Sequence, residues 1–311
     1  MNTRSEKLQK LARVANLYYV QDQTQQQIAQ TLGVSRPLIS RMLREAKELG
    51  VVEIRIHQPG NNTSSLLGRA GALYGIQGGV LVSDADDDYR TNRLLVERTV
   101  EFLRTLHPLH MGIGWGHIVG ELVSALEKQQ PEQLGVEHIC PLVGNSGISI
   151  RNYHSNENVR ILAQQWKAQP HYLYTPAFAE TRQERELLQQ TQHYKEVQRE
   201  WEQLDVALVN IGNYPSTPDF ASGARYGTLL TQQKAVGRLI AYYFNQEGQI
   251  IHSDTDYAIQ IPLELLKNCR HVIGLCSANT NRRALEGALR TGLITHVAAR
   301  EQLLREVMKE G

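Results

Sequence analysis

The 311-residue chain has no apolar run approaching the roughly 18 residues that a membrane-spanning helix requires. Its first thirty residues are polar, and no apolar segment leads to a small-residue cleavage site. No secretory signal is therefore expected, and the expected location is the cytoplasm. Cysteine is scarce, with Cys140, Cys269 and Cys276 standing far apart. No pair has metal-ligand spacing, and an odd number argues against a disulfide framework. Cys140 and Cys276 lie in apolar, strand-like runs and read as buried free thiols. Catalytic and metal signatures are missing as well. The eleven histidines are scattered without His-x-Glu or His-x-x-x-His spacing, and there is no Gly-x-Ser-x-Gly elbow. His107 and His110 flank Pro108, which suits a turn. Asp84, Asp86, Asp87 and Asp88 cluster, but Leu95 stands where a calcium loop starting at Asp84 needs its bidentate Glu, so a solvated loop is expected. No catalytic residue, metal or cofactor is predicted.

What is present is an ordinary globular composition, 41% hydrophobic and 21% charged, with an uneven distribution of charge. The formal net charge is +1, yet residues 1–57 hold nine Lys or Arg against five acids. A basic head of +4 thus precedes a mildly acidic body of −3, as in a nucleic-acid-binding module joined to a non-binding domain.

The head carries local signals that agree in register. Leu8, Leu11, Ala15 and Tyr18 recur at helical steps and predict an amphipathic helix over 5–19. Six of the ten residues 21–30 are Gln, which taken alone would read as low complexity. Thr24 followed by Gln27, however, forms a capping box at the start of a helix whose apolar face is Ile28, Ala29 and Leu32. Gly33 supplies the positive φ that ends it. Ser35 is a helix N-cap, and Pro37 falls in the first turn, where no amide donor is required. The second helix, about 36–48, turns Ile39, Met42, Leu43 and Ala46 inward and Arg36, Pro37, Ser40, Arg41 and Arg44 outward.

Two short helices joined by a tight Gly-containing turn form a helix-turn-helix, whose second helix enters the major groove of double-stranded DNA. Arg36, Ser40 and Arg41 are the expected base contacts, because a guanidinium pairs bidentately with guanine O6 and N7. Arg44 and Lys47 are expected on phosphates. Thr24, Gln25, Ser35 and Pro37, at the two helix starts, complete the expected DNA-binding set. Residues 51–57 alternate as a strand does, either as a wing, with Arg55 on the backbone, or as a plain linker.

The cluster QPGNNTSS (58–65) marks the expected boundary between a DNA-binding domain, 1–57, and an effector-binding and oligomerisation domain, 58–311. Beyond it short apolar runs (79–82, 109–113, 137–143, 172–175, 205–211, 271–276 and 294–298) alternate with helical patterns. This predicts an α/β domain with a mainly parallel sheet. In such sheets ligands bind beyond the C-terminal ends of strands. Three loops fall there: Gly112 to Gly116, PLVGNSG (141–147) and CSANTN (276–281). Glycines at these places either admit an anion to backbone amides or merely allow tight packing. The residues of these loops expected to line an effector pocket are Gly114, Trp115, Gly116, Gly144, Asn145, Ser146, Ala278 and Asn281.

The chain resembles the SorC family of bacterial sugar-responsive regulators, also described as the deoxyribonucleoside-regulator type. The resemblance rests on YYVQDQTQQQIAQTLGVSRPLISRML (18–43), GIGWG (112–116), PLVG (141–144), LYTPAF (173–178) and DVALVNIG (205–212). AVGRLIAYYFNQEG (235–248) and residues 272–304 complete it. It implies an effector domain similar to sugar-phosphate isomerases and glucosamine-phosphate deaminases, which binds a phosphorylated sugar or a relative and assembles into dimers or tetramers. The chain departs from the family where its pattern carries Asp, a small residue and Arg, occupied here by Arg238, Ala241 and Tyr242. The position of a ligand-contacting lysine is Asn281. Each charge-assisted bond so lost is worth roughly 1.5–3 kcal/mol, with Arg225 and Arg282 the candidates to replace the charge. The expected function is thus a DNA-binding regulator with a sugar or sugar-phosphate effector. A sugar-phosphate isomerase-like enzyme with a DNA-binding appendage is the alternative, and a recombinase fits less well because its DNA-binding module usually lies at the C-terminus.

Overall fold

The computed structural model describes residues 3–21, 23–49, 51–52, 61–132, 134–147, 150–216 and 225–308. Most of the expected strand 51–57, with Arg55 and the wing it would form, lies outside the described residues. The chain divides into two compact units, 1–60 and 61–311.

The first unit is three helices, α1 (Thr3–Tyr19), α2 (Gln25–Leu32) and α3 (Arg36–Glu48). Val14 from α1, Ile28 and Ala29 from α2, and Ile39 and Leu43 from α3 are buried together, with Leu17, Tyr18, Leu32 and Met42 packed around them. The capping box forms as its spacing requires: the Gln27 amide donates to Thr24 Oγ1 at 3.3 Å and the Thr24 amide donates to Gln27 Oε1 at 2.9 Å. Gly33 closes α2 at φ +65°. Lys7 of α1 pairs with Glu45 of α3.

The second unit contains α4 (Asn61–Tyr74), β1 (Gly78–Val82), α5 (Asp88–Leu106), β2 (His110–Ile113), α6 (His117–Glu127) and β3 (His138–Pro141). There follow α7 (Ser155–Trp166), β4 (Gln169–Pro170), α8 (Arg182–Gln190), α9 (Gln192–Trp201) and β5 (Val206–Asn213). The described remainder is α10 (Leu229–Gln232), β6 (Ala235–Leu239), β7 (Tyr242–Asn245), α11 (Leu263–Asn268), β8 (His271–Leu275), α12 (Arg282–Arg290), β9 (His296–Arg300) and α13 (Glu301–Met308). The cluster read as a linker ends earlier than expected, because α4 already begins at Asn61.

The strands lie in the order β1-β9-β8-β5-β2-β3-β4, all parallel, with β6 and β7 as an antiparallel hairpin on the far end of β5. Strand alternation divides the apolar side chains between two layers. Met111, Ile113, Val206, Leu208, Ile273 and Ala298 face α5, α6 and α7. Cys140, Ala207, Val209, Val272, Val297 and Ala299 face the opposite core, with Trp201, Leu285 and Leu304. A continuously apolar strand such as Val206–Val209 is what burial on both faces demands. All three cysteines are buried free thiols, their pKa values raised by burial.

The apolar run 172–175 is not a strand. Asn156 Oδ1 accepts the Leu173 amide at 3.0 Å, and the side chains of Asn145 and Asn156 donate to the Leu173 carbonyl, so ladder bonds are replaced by side-chain bonds. Asp87 caps α5, and Asp86 pairs with Arg90, so the acidic cluster serves as a helix start. No helix among the described residues is long and apolar enough to cross a membrane.

Histidine opens four of the parallel strands: His296 (β9), His271 (β8), His110 (β2) and His138 (β3). Burial, with the His271 imidazole adding to it, holds His296 down to about 4 from 6.5. Burial and then Arg270 lower His271. Because the folded state favours the neutral rings, the unfolded chain takes up protons first as pH falls. Stability is expected to be full above about pH 6.5 and to decline toward pH 4, and His296→Gln should flatten that decline. Denaturant melts across this range test it, and a pH-independent midpoint in the parent protein refutes it.

Candidate nucleic-acid interface and effector site

At roughly 100° per residue, Arg36, Pro37, Ser40, Arg41, Arg44 and Lys47 fall within one arc of about 140° on α3, and Ile39, Leu43 and Ala46 fall in a separate arc. The core residues are buried, and Arg36, Pro37, Arg41, Arg44 and Lys47 are exposed, with Ser40 half-buried. Among the described residues, no carboxylate pairs with Arg36, Arg41 or Arg44. Ser35 has the extended backbone of an N-cap but makes no side-chain cap bond, so its hydroxyl is available to a ligand, and Pro37 sits in the first turn as expected. Lys47 Nζ lies 5.8 Å from the Tyr19 ring centroid, a cation–π contact tying the end of α3 to α1. Gln25, the first residue of α2, is half-buried and Thr24 is exposed.

In the second unit, chain order turns outward from β2 through β3 to β4, and outward the other way from β5 through β8 to β9. The crevice between the ends of β2 and β5 is therefore the switch point at which such sheets bind ligands. The three expected loops all border that rim. Gly116, at φ +120°, starts α6, and a Cβ there would lie 2.9 Å from Asn210 Nδ2. At Gly144 a Cβ would meet the Pro176 carbonyl oxygen at 2.3 Å.

Several backbone amides of these loops are committed within the protein. Gly114 donates to Leu208, Gly116 to Asn152, Gly144 to Ile259, Asn145 to Thr175 and Ser146 to Tyr153, all carbonyls. The third loop is closed by side chains: Ser277 donates to Thr280 Oγ1 at 2.9 Å, Ala278 to Asn92 Oδ1 at 2.7 Å and Asn281 to Asn213 Oδ1 at 2.9 Å. Asn281 in turn caps α12, accepting the Ala284 amide at 2.9 Å. Trp115 and Ala278 are buried, and the Trp115 indole donates to the Ile240 carbonyl at 3.2 Å. These loops shape the rim with backbone and neutral side chains, and the first amides of α6, after Gly116, carry no side-chain cap.

The neutral amide side chains of Asn145, Asn210 and Asn213 are half-buried near the strand ends. Arg238, 9% exposed, brings a guanidinium beneath Gly212, where a Cβ would lie 3.2 Å from its Nε. Of the two arginines considered as replacements, Arg225 is fully used: it pairs with Asp256 at 2.8 Å and stacks 3.9 Å from the Phe178 centroid. Arg282 lies 3.8 Å from Glu286. Tyr242 donates to the Ile261 carbonyl at 2.7 Å, and its pKa is raised by burial. It lines a cavity of about 340 Å³ together with Arg185, Gln189, Asp256, Gln260 and Leu263. Periodicity did not reveal this cavity, because its walls come from α8, β7, the non-repetitive segment 251–262 and the start of α11.

Residues 62–309 match the family model described as "Putative sugar-binding domain". The chain is 29% identical to the sorbitol operon regulator of Klebsiella pneumoniae, covering 97% of this chain and 99% of that one. The crystal structure of that full-length regulator, SorC, superposes with a TM-score of 0.82 over 97% of this chain and 99% of that one, at 25% identity. This chain belongs to the SorC family. The deoxyribonucleoside regulator of Bacillus subtilis is 27% identical over 96% of each chain. Both relatives are named for regulation, and the order of units in the SorC-family protein described here, helical head before α/β body, spans nearly the whole of each.

If Asn281 serves this SorC-family protein as a helix cap, Asn281→Ala should cost about 1 kcal/mol of stability. Asn281→Asp, which keeps the cap oxygen at a helix N-terminus, should restore it. Chemical denaturation of the three proteins checks this, and equal midpoints would remove the capping role.

Proposed function

We propose that this protein is a transcription regulator whose N-terminal unit reads operator DNA and whose C-terminal unit binds a carbohydrate-like effector. The observation that carries the reading is the exposed basic face of α3, held by a capped three-helix core and followed in the same chain by a sugar-binding domain. Arg36, Ser40 and Arg41 contact base edges, Arg44 holds phosphate, and Thr24, Gln25, Ser35 and Pro37 fix the helix starts against the backbone. Two copies of such a reader on a near-palindromic site require a homo-oligomer, a dimer or a tetramer. Effector binding alters DNA affinity only in so far as it favours one arrangement of that assembly over another.

The effector lies at the rim bordered by Gly114–Gly116, Gly144–Ser146 and Ala278–Asn281, with Trp115 as a wall and Tyr242 at the neighbouring cavity. The Asn210 carboxamide both donates and accepts, which matches a sugar hydroxyl. With Tyr242 and Asn281 where the family pattern carries Arg and Lys, the rim lacks two cations that a second phosphate would engage. The effector is accordingly a sugar or a sugar monophosphate. An isomerase activity based on a lysine Schiff base is disfavoured where Asn281 occupies the lysine position, its side-chain oxygen engaged in the cap.

Selection of genomic fragments by the purified protein at about 0.15 M salt should enrich a few near-palindromic sites, with candidate sugars added where the apoprotein selects none. Binding that vanishes with salt and enriches nothing, with or without sugars, would leave only non-specific charge attraction. Arg41→Ala is expected to weaken operator binding by about 1–3 kcal/mol and relax one base position; an unchanged site preference would take Arg41 out of the readout. Calorimetry should find micromolar affinity for a neutral sugar or monophosphate and much weaker binding of bisphosphates; the reverse order would contradict the reading of the rim.

A further inference from the structure

The sheet has a second rim, where its strands begin, and on one side of it imidazoles converge. His110 opens β2, His138 opens β3, His171 follows β4, and Glu200 projects from the last turn of α9. His138 Nδ1 lies 2.9 Å from His171 Nε2, and His171 Nε2 lies 3.5 Å from Glu200 Oε1. One donor atom each from His138, His171 and Glu200 lies within 4.8 Å of the other two. The second oxygen of Glu200 is 3.1 Å from His110 Nδ1, and the His110 ring stacks on His138 at 4.7 Å with an interplanar angle of 9°.

We propose that His138, His171 and Glu200 form a binding site for a divalent transition-metal ion of the zinc class, with a fourth position open to solvent. Ligands about 2.0–2.1 Å from a tetrahedral zinc are roughly 3.3–3.4 Å apart. The 2.9 and 3.5 Å separations lie on either side of that spacing and the third pair lies within 4.8 Å, so side-chain movement closes the set around the ion. Two imidazoles and a carboxylate are a donor set suited to zinc, and imidazole equally suits nickel and copper. His110 is the orienting partner, holding the carboxylate by its other oxygen, as outer hydrogen bonds commonly do around metal ligands. The frame behind it is fixed: Asp205 Oδ2 accepts the amides of both Leu109 and His110 at 2.9 Å. All four side chains are half-buried, leaving a path from solvent. Bound there, the ion would clamp the starts of β2, β3 and β4 to α9, at the opposite end of the strands from the effector rim. The inference therefore stands independently of the effector reading.

The test uses full-length protein without a histidine tag, stripped with chelator. Zinc titration by calorimetry or with a chromophoric competitor should give one equivalent per chain. Cobalt should give the visible absorption of an ordered, nitrogen-ligated site, a readout on the parent protein alone. His171→Gln and Glu200→Gln, checked for folding by circular dichroism, should each weaken binding about tenfold or more, and His110→Ala by about 10–100-fold. His193→Ala, an exposed histidine on α9, should change nothing. Zinc should also raise the melting temperature of the parent protein but not of the Gln variants. No stoichiometric binding by the parent, or binding equal in parent and folded Gln variants, overturns the proposal.

Discussion

Both faces of the parallel sheet are sealed, and this confines its chemistry to the rims. Met111, Ile113, Val206 and Leu208 are buried on one side and Ala207, Val209, Val272 and Val297 on the other, each essentially without exposure. A sheet so covered binds solutes only where its strands end or begin. The C-terminal rim gains its crevice from the reversal of chain order between β2 and β5. The N-terminal rim gains its polar character from residues placed at strand starts, where a side chain leaves the apolar layer while its backbone remains in the ladder.

The two units differ in how far the sequence alone reveals them, and the difference is one of range. In the head every signal is local. Thr24 and Gln27 are three residues apart, Gly33 needs only its own backbone, and the inward and outward faces of α3 follow from a single period. The parallel α/β body was legible for the same reason, since burial on both faces leaves continuous apolar runs at β5 and β8. The β6–β7 hairpin was not. Its two-residue turn holds Ile240 at φ +56° where a hairpin ordinarily advertises Asn or Gly. Ile240 is buried, and its carbonyl accepts the Trp115 indole, so packing outweighs local preference at that position.

The same distinction governs the sites. The loop glycines were visible, but their commitments were not: Asn92 meeting Ala278, or Leu208 meeting Gly114, is a long-range fact. The His138, His171 and Glu200 cluster escaped motif reading because each donor comes from a different element. Spacing rules for metal ligands describe sites built on one helix or one loop. A rim site assembled from neighbouring strand starts has no such signature, since strand order is itself absent from the spacing.

The departures from the family pattern, weighed as charges, do not empty the effector rim. The pattern's Asp, Arg and Lys sum to one positive charge, and Arg238, Tyr242 and Asn281 sum to one as well. What changes is placement. A cation at the Asn281 position would stand at the start of α12, where the helix dipole already favours an anion. Arg238 instead lies almost wholly buried beneath Gly212, in a strand whose backbone is fixed by β5 and β7. A guanidinium held there is less hydrated and less mobile than a surface lysine, so a single anionic group approaching it gains more and loses less entropy on binding. A second anionic group meets Tyr242 and Asn281 where the family pattern carries Arg and Lys. The rim thus keeps the charge of the family pattern while exchanging reach for position, which is the physical basis of the proposed preference for singly charged or neutral sugars.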